Sequence, residues 1–219
     1  MEIRDILSRV DHTLLKQFAT FDDIKALCDD AIAYSTASVC IPPCFVEAAK
    51  DYCEGKMKIC TVIGFPNGYN AAPVKIFETY DAIRHGADEV DVVVNIGDVK
   101  AGNYDKVLTE LKEIRSTACE KIMKVIIETC YLSEEEKIRM CEVVTASGAD
   151  FIKTSTGFGT GGATLEDVIL LRKTVGANVK VKAAGGIRTL GDAKLFIESG
   201  ADRLGTSAIV RLVKEGAKL

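Results

Sequence analysis

The chain contains no tryptophan, four prolines and only two histidines, and aromatic residues make up just 6% of its 219 positions. Histidines at 12 and 85 alone are too few for a His-rich metal centre, and no His/Cys cluster has ligand spacing. A dominant charge is missing too. Lys and Arg number 28 against 32 Asp and Glu, with no basic block to attract a phosphodiester backbone. No apolar run approaches the ~20 residues of a membrane span, and Met1–Val10 is too charged to read as a signal peptide. These absences lead to the expectation of a cytoplasmic, soluble protein with no nucleic-acid or membrane partner. Cysteine is the exception to the scarcity. Eight occur, at 28, 40, 44, 53, 60, 119, 130 and 141, without a CxxC pair. Without an export signal they read as reduced thiols, packed in the core or on the surface.

Hydrophobic residues, at 47%, are arranged as short β-branched runs alternating with amphipathic stretches. The runs predict eight strands: 10–13, 36–41, 58–64, 89–95, 123–128, 151–154, 179–183 and 203–206. Thr20, Ser133, Thr164 and Thr189 each stand three residues before a carboxylate, the signature of a helix start. Pro73 suits a first helical turn. A repeat runs through the pattern: Gly86-Ala-Asp88, Gly148-Ala-Asp150 and Gly200-Ala-Asp202, with Gly176-Ala-Asn178 a near copy. A glycine there can take the left-handed conformation that ends a helix and sends the chain into the next strand. Repeated βα units predict a single-domain (β/α)8 TIM barrel over 1–219 with a short N-terminal helical segment, its active site at the C-terminal ends of the strands. A doubly wound open sheet would show a Gly-rich turn after its first strand, and Val10–Leu15 has none.

Three strands carry charge where a strand buried on both faces should be apolar. Alternation turns Asp91, Val93 and Asn95 into the barrel, and likewise Lys153 and Lys182, while Lys180 lies toward the opposite rim. A structural ion cluster is one reading. The other is chemical, because adjacent ammonium groups disfavour each other's charge and a partly neutral lysine is a nucleophile. Loops supply the second feature. Ala183-Ala-Gly-Gly-Ile-Arg188 and Leu204-Gly-Thr-Ser-Ala208 offer close-approach glycines, hydroxyls and an arginine for a phosphate, and Thr154–Gly162 adds a third loop containing Thr156.

These residues carry a resemblance. Asp11-His-Thr-Leu-Leu, Ser38-Val-Cys-Ile, Glu89–Asn95, Phe151-Ile-Lys-Thr-Ser-Thr-Gly157, Lys182–Arg188 and Arg203–Ser207 resemble, in order and spacing, the deoxyribose-phosphate aldolases of the class I, Schiff-base type. The resemblance implies reversible cleavage of 2-deoxy-D-ribose 5-phosphate to acetaldehyde and D-glyceraldehyde 3-phosphate, in deoxyribonucleoside breakdown, with no metal and no cofactor. It implies Lys153 as the imine-forming lysine, Lys182 as its perturbing and proton-shuttling neighbour, and Asp91 as acid/base partner. It places Asp11, Thr13 and Cys40 in the pocket, and Thr156, Gly157, Gly185, Gly186, Arg188, Gly205, Thr206 and Ser207 around substrate and phosphate. Phe158 stands where certain members have lysine, Ala208 where certain members have serine, and no tyrosine follows Tyr131. Two rivals share the phosphate loops: an isomerase or epimerase, which would need a flanking carboxylate or histidine pair, and a non-catalytic sugar-binding barrel. The oligomeric state stays open, a homodimer included. Ala217-Lys218-Leu219 is similar to a peroxisomal address, too short a match to carry weight.

Overall fold

In the computed structural model, which describes residues 1–217, eight parallel strands close into a barrel in chain order. The strands are β1 (Val10–Thr13), β2 (Ser38–Ile41), β3 (Ile59–Ile63), β4 (Glu89–Val93), β5 (Ile122–Ile126), β6 (Phe151–Lys153), β7 (Lys180–Ala184) and β8 (Arg203–Thr206). Closure comes from β1 against β8, with Val10 opposite Leu204 and Asp11 opposite Gly205. The helices are α1 (Ile3–Leu7), α2 (Phe21–Ala33), α3 (Val46–Cys53), α4 (Ala72–Arg84), α5 (Ile96–Lys100), α6 (Tyr104–Ala118), α7 (Glu134–Ser147), α8 (Leu165–Thr174), α9 (Leu190–Glu198) and α10 (Ile209–Lys214). Thr20, Ser133, Thr164 and Thr189 each accept a backbone N–H three residues on, so the expected helix starts are real caps. Lys218 and Leu219 of the C-terminal tripeptide lie outside the described residues.

The main hydrophobic core lies between barrel and helices, where the outward faces of the strands, such as Val90 and Val92, share one buried cluster with residues such as Leu111 and Ile114 of α6. Inside the barrel the filling is largely ionic. An apolar cluster of Cys40, Cys60 and Val62 lies there too, with Leu15 and Phe65 packed against it. One expected inward residue is displaced. The chain leaves β4 at Val93, and Asn95 caps α5, its side chain accepting from the backbone N–H groups of Gly97 and Asp98. A short amide satisfies the free donors of a helix start better than it fills a barrel.

The Gly-Ala-Asp repeat proves to be a fastening device at the N-terminal rim. The carboxylates of Asp88, Asp150 and Asp202 accept from the backbone N–H of Ile59, Met123 and Val181 at 3.0, 2.8 and 2.9 Å, each at the start of the preceding strand. Each also pairs with a cation from an earlier helix: Lys50 at 2.8 Å, Arg115 at 2.9 Å and Arg172 at 3.4 Å. The glycines have positive φ, as expected, and a Cβ on Gly86 or Gly200 would lie 2.8 Å from Cγ of Lys50 or Arg172. So glycine both ends the helix and admits the cation's stem. Gly176 is different: it lacks positive φ, and its Cβ would lie 2.5 Å from Thr145 Cγ2. There, close approach rather than helix termination requires glycine.

Candidate active site

Barrel closure gathers Asp11, Glu89, Asp91, Lys124, Lys153, Lys182 and Arg203 into one buried cluster. Lys153 on β6 and Lys182 on β7 are register partners, as are Asp91 and Lys124 on β4 and β5. Asp91 is the hub. Its Oδ2 accepts from both Lys153 and Lys182 at 2.7 Å, and its Oδ1 accepts from Lys124 at 2.8 Å and Cys60 at 3.2 Å. Asp11 Oδ1 accepts from Arg203 at 2.5 Å and Ser38 at 2.7 Å, while its Oδ2 lies 2.5 Å from the Lys182 ammonium. Glu89 faces Lys124 at 2.6 Å and Arg203 at 3.2 Å. Four cationic side chains therefore share three carboxylates.

The partners are unequal. Lys124, Lys182 and Arg203 each contact at least two carboxylates, whereas Lys153 contacts Asp91 alone. Burial opposes the charge on Lys182, yet Asp11 and Asp91 outweigh it and hold its pKa above the ordinary lysine value. Lys124 is raised in the same way, by Asp91 foremost among its partners. Burial also works against the carboxylates, but Lys182 and Lys124 hold Asp11 low, and the three lysines hold Asp91 well below the usual range. Lys182 therefore carries its charge in the resting site, beside the Asp91 oxygen it shares with Lys153. The expectation that adjacent amines lower each other's pKa is corrected for Lys182, because the carboxylates around it outweigh its neighbour.

A cavity of about 400 Å³ opens at the C-terminal end of the barrel, with Lys153 in its wall. Thr13, Thr156, Gly157, Gly185, Gly186, Arg188, Gly205, Thr206 and Ser207 line it as well. Asp11, Asp91 and Lys182 do not line it: they are fully buried beneath, as is Cys40, packed with Cys60 and Val62. Gly185 and Gly186 both have φ near +80, at 80° and 81°, and a Cβ on Gly162 would lie 2.5 Å from the Gly185 carbonyl. Glycine is thus needed where the β6 and β7 loops touch. A Cβ on Gly205 would meet Ala184 Cβ at 2.9 Å and Lys182 Cε at 3.2 Å, so that glycine clears the path of Lys182. The Thr206 hydroxyl is already committed, donating to Ile187 O at 3.0 Å and accepting from Ala208 N at 3.1 Å. Exposed Arg188 stands at the rim, together with Lys16, which the sequence reading passed over. Phe158 packs edge-on against Phe65, with centroids 5.2 Å apart. Among the described residues, the groups close enough to hold a metal are Cys40, Cys60 and Asp91, or Asp11, Cys60 and Glu89. Their carboxylates already serve lysine or arginine, which makes a cation a poor fit.

Sequence reasoning missed Lys124, Glu89 and Arg203. Lys124 carried the same signal as Lys153, a charge inside the apolar run Ile122–Ile127.

A buried amine over a shared carboxylate, at the floor of a cavity rimmed by glycine loops, has counterparts among known proteins. Residues 6–211 match the DeoC/LacD family aldolase. This chain belongs to that family. A deoxyribose-phosphate aldolase of Clostridioides difficile (strain 630) is 60% identical over 212 residues, 97% of each chain. A solved structure of a putative deoxyribose-phosphate aldolase from Coccidioides immitis superposes with a TM-score of 0.95 at 37% identity, covering 98% of this chain and 87% of the other. A tetrameric deoxyribose phosphate aldolase from Aeropyrum pernix superposes with a TM-score of 0.88 at 30% identity, covering 98% and 93%. The helix starts, the glycine contacts and the lysine pair described above are therefore those of a DeoC/LacD aldolase.

Proposed function

We propose that the aldolase reversibly cleaves 2-deoxy-D-ribose 5-phosphate to acetaldehyde and D-glyceraldehyde 3-phosphate through an imine on Lys153, as part of deoxyribonucleoside breakdown. The observation that carries this reading is that Lys153 alone, of the four cationic groups in the cluster, lines the cavity. Lys153 pairs with a single carboxylate, the fewest of the four cationic groups, and it is the unprotonated amine that attacks a carbonyl. The amine adds to the C1 carbonyl, and water leaves. When the C3 hydroxyl gives up its proton, the C2–C3 bond breaks and its electron pair passes into the enamine. Protonation at C2 and hydrolysis then free acetaldehyde and the lysine. Asp91 Oδ2, 2.7 Å from each amine, is the acceptor through which a proton passes between Lys153 and Lys182. Arg188, Lys16 and the N–H groups of Gly185 and Gly186 supply the phosphate end. Thr206 contributes through its backbone only, since its hydroxyl is engaged within the loop.

The cytoplasm is the compartment this reading assigns. Its test is release of glyceraldehyde 3-phosphate. The wild type should cleave the 5-phosphate without loss in chelator, because imine formation does the work of a Lewis acid. It should turn over unphosphorylated deoxyribose far more slowly, because remote phosphate binding positions the carbonyl. Equal rates on the two sugars would reduce the glycine loops to turns, and full activity in Lys153→Ala would overturn the mechanism.

A further inference from the structure

Glu128 is a buried acid that the mechanism above does not use. It follows β5, and among the described residues it is the buried one of four non-glycine residues with positive φ; Ser35, Glu54 and Cys119 are exposed. Its φ of 51° and ψ of 66° place a non-glycine residue in the left-handed region, which L side chains rarely adopt. Among the described residues it forms no ion pair, although it is only 3% exposed. Both oxygens instead address one residue. Oε1 accepts from the backbone N–H of Thr156 at 3.1 Å, and Oε2 is hydrogen-bonded to the Thr156 hydroxyl. The hydroxyl in turn accepts from the backbone N–H of Phe158 at 3.0 Å. Gly159 closes over the acid, where a Cβ would lie 3.2 Å from Glu128 Cδ.

A carboxylate only accepts, so the Thr156 hydroxyl must spend its single proton on Glu128. What remains of that oxygen beyond these two bonds is a lone pair. Thr156 therefore has nothing to donate to a phosphate, but it can accept from a hydroxyl. Thr156 lines the same cavity as Lys153 and the glycine loops. We infer that Glu128 is a positioning residue that fixes the Thr156 hydroxyl as an acceptor, so that the site selects aldehydes carrying a hydroxyl between the carbonyl and the phosphate ester. The inference rests on the aldolase reading above.

The test runs the reaction in the direction of synthesis, adding acetaldehyde to D-glyceraldehyde 3-phosphate or to 3-phosphooxypropanal, which lacks that hydroxyl. The wild type should prefer the hydroxylated aldehyde, and Glu128→Gln should cut the preference about tenfold, the scale of one buried hydrogen bond to a charged group. Thr156→Ala should cut it equally, and the double variant no further. If Glu128→Gln does not fold, the Thr156→Ala preference decides the matter. A merely structural role would slow both aldehydes alike and leave their ratio intact, and that result overturns the inference. Failure of the wild type to form product from either aldehyde would instead overturn the aldolase reading itself.

Discussion

Lys182 and Lys153 are register partners on neighbouring strands, yet they differ in what each ammonium meets. Lys182 sits 2.5 Å from Asp11 and 2.7 Å from Asp91, while Lys153 has Asp91 alone and faces the cavity. The charge on Lys182 therefore competes with Lys153 for the same carboxylate oxygen. In Lys182→Leu, Asp91 Oδ2 is left to Lys153 alone, and reductive trapping with acetaldehyde should slow. Lys182→Arg keeps a charge that gives up no proton. It should trap normally while losing turnover. An unchanged trapping rate in Lys182→Leu, with turnover lost, would show that Lys182 acts by carrying protons and not by its charge.

At the scale of elements, the Asp88, Asp150 and Asp202 staples each join a strand start to an earlier helix's cation. Asp150→Ala strands the Met123 N–H and leaves Arg115, whose side chain is 18% exposed, without its carboxylate. A loss of about 1–3 kcal/mol is expected in chemical unfolding, with kcat unchanged at temperatures where the barrel is intact. Asp22→Ala, which removes an exposed partner of Lys25, should change stability little. Equal losses would mean that the repeat is not a fastening. The repeat and the helix caps were legible in the sequence because they act within a few residues of chain. Lys153, Lys182 and Asp91 were legible because charge inside a parallel strand is conspicuous. Glu89 and Arg203 open their strands, where a charge reads as a rim residue, and only barrel closure brings them to Asp11 and Lys124. Glu128 was hidden for another reason: its meaning lies in a left-handed backbone turn that glycine would ordinarily signal.

For the whole molecule, burial of ionisable groups sets the acid limit. Burial pushes His12 on β1 down to about 4, against a weaker upward pull from Asp30 and the Thr206 backbone, and its Nδ1 has no partner. The unfolded chain binds that proton near pH 6.5, so stability is complete above that value and falls as pH drops toward 4. The loss over this window is on the order of 3 kcal/mol. Asp11 and Asp91, held low, contribute losses only in stronger acid. In His12→Leu the unfolding free energy should be flatter between pH 7 and pH 4.5 than in the wild type. Parallel curves would contradict the burial argument. The barrel's larger consequence is selective: it draws residues from 11 to 203 into one ion cluster and leaves a single amine of that cluster at the cavity. Borohydride reduction in the presence of acetaldehyde, followed by peptide mass spectrometry, tests this most directly. One added ethyl group on Lys153, with cleavage activity lost in step, is the predicted result; modification of Lys182, or of several surface lysines with Lys153 untouched, would contradict it.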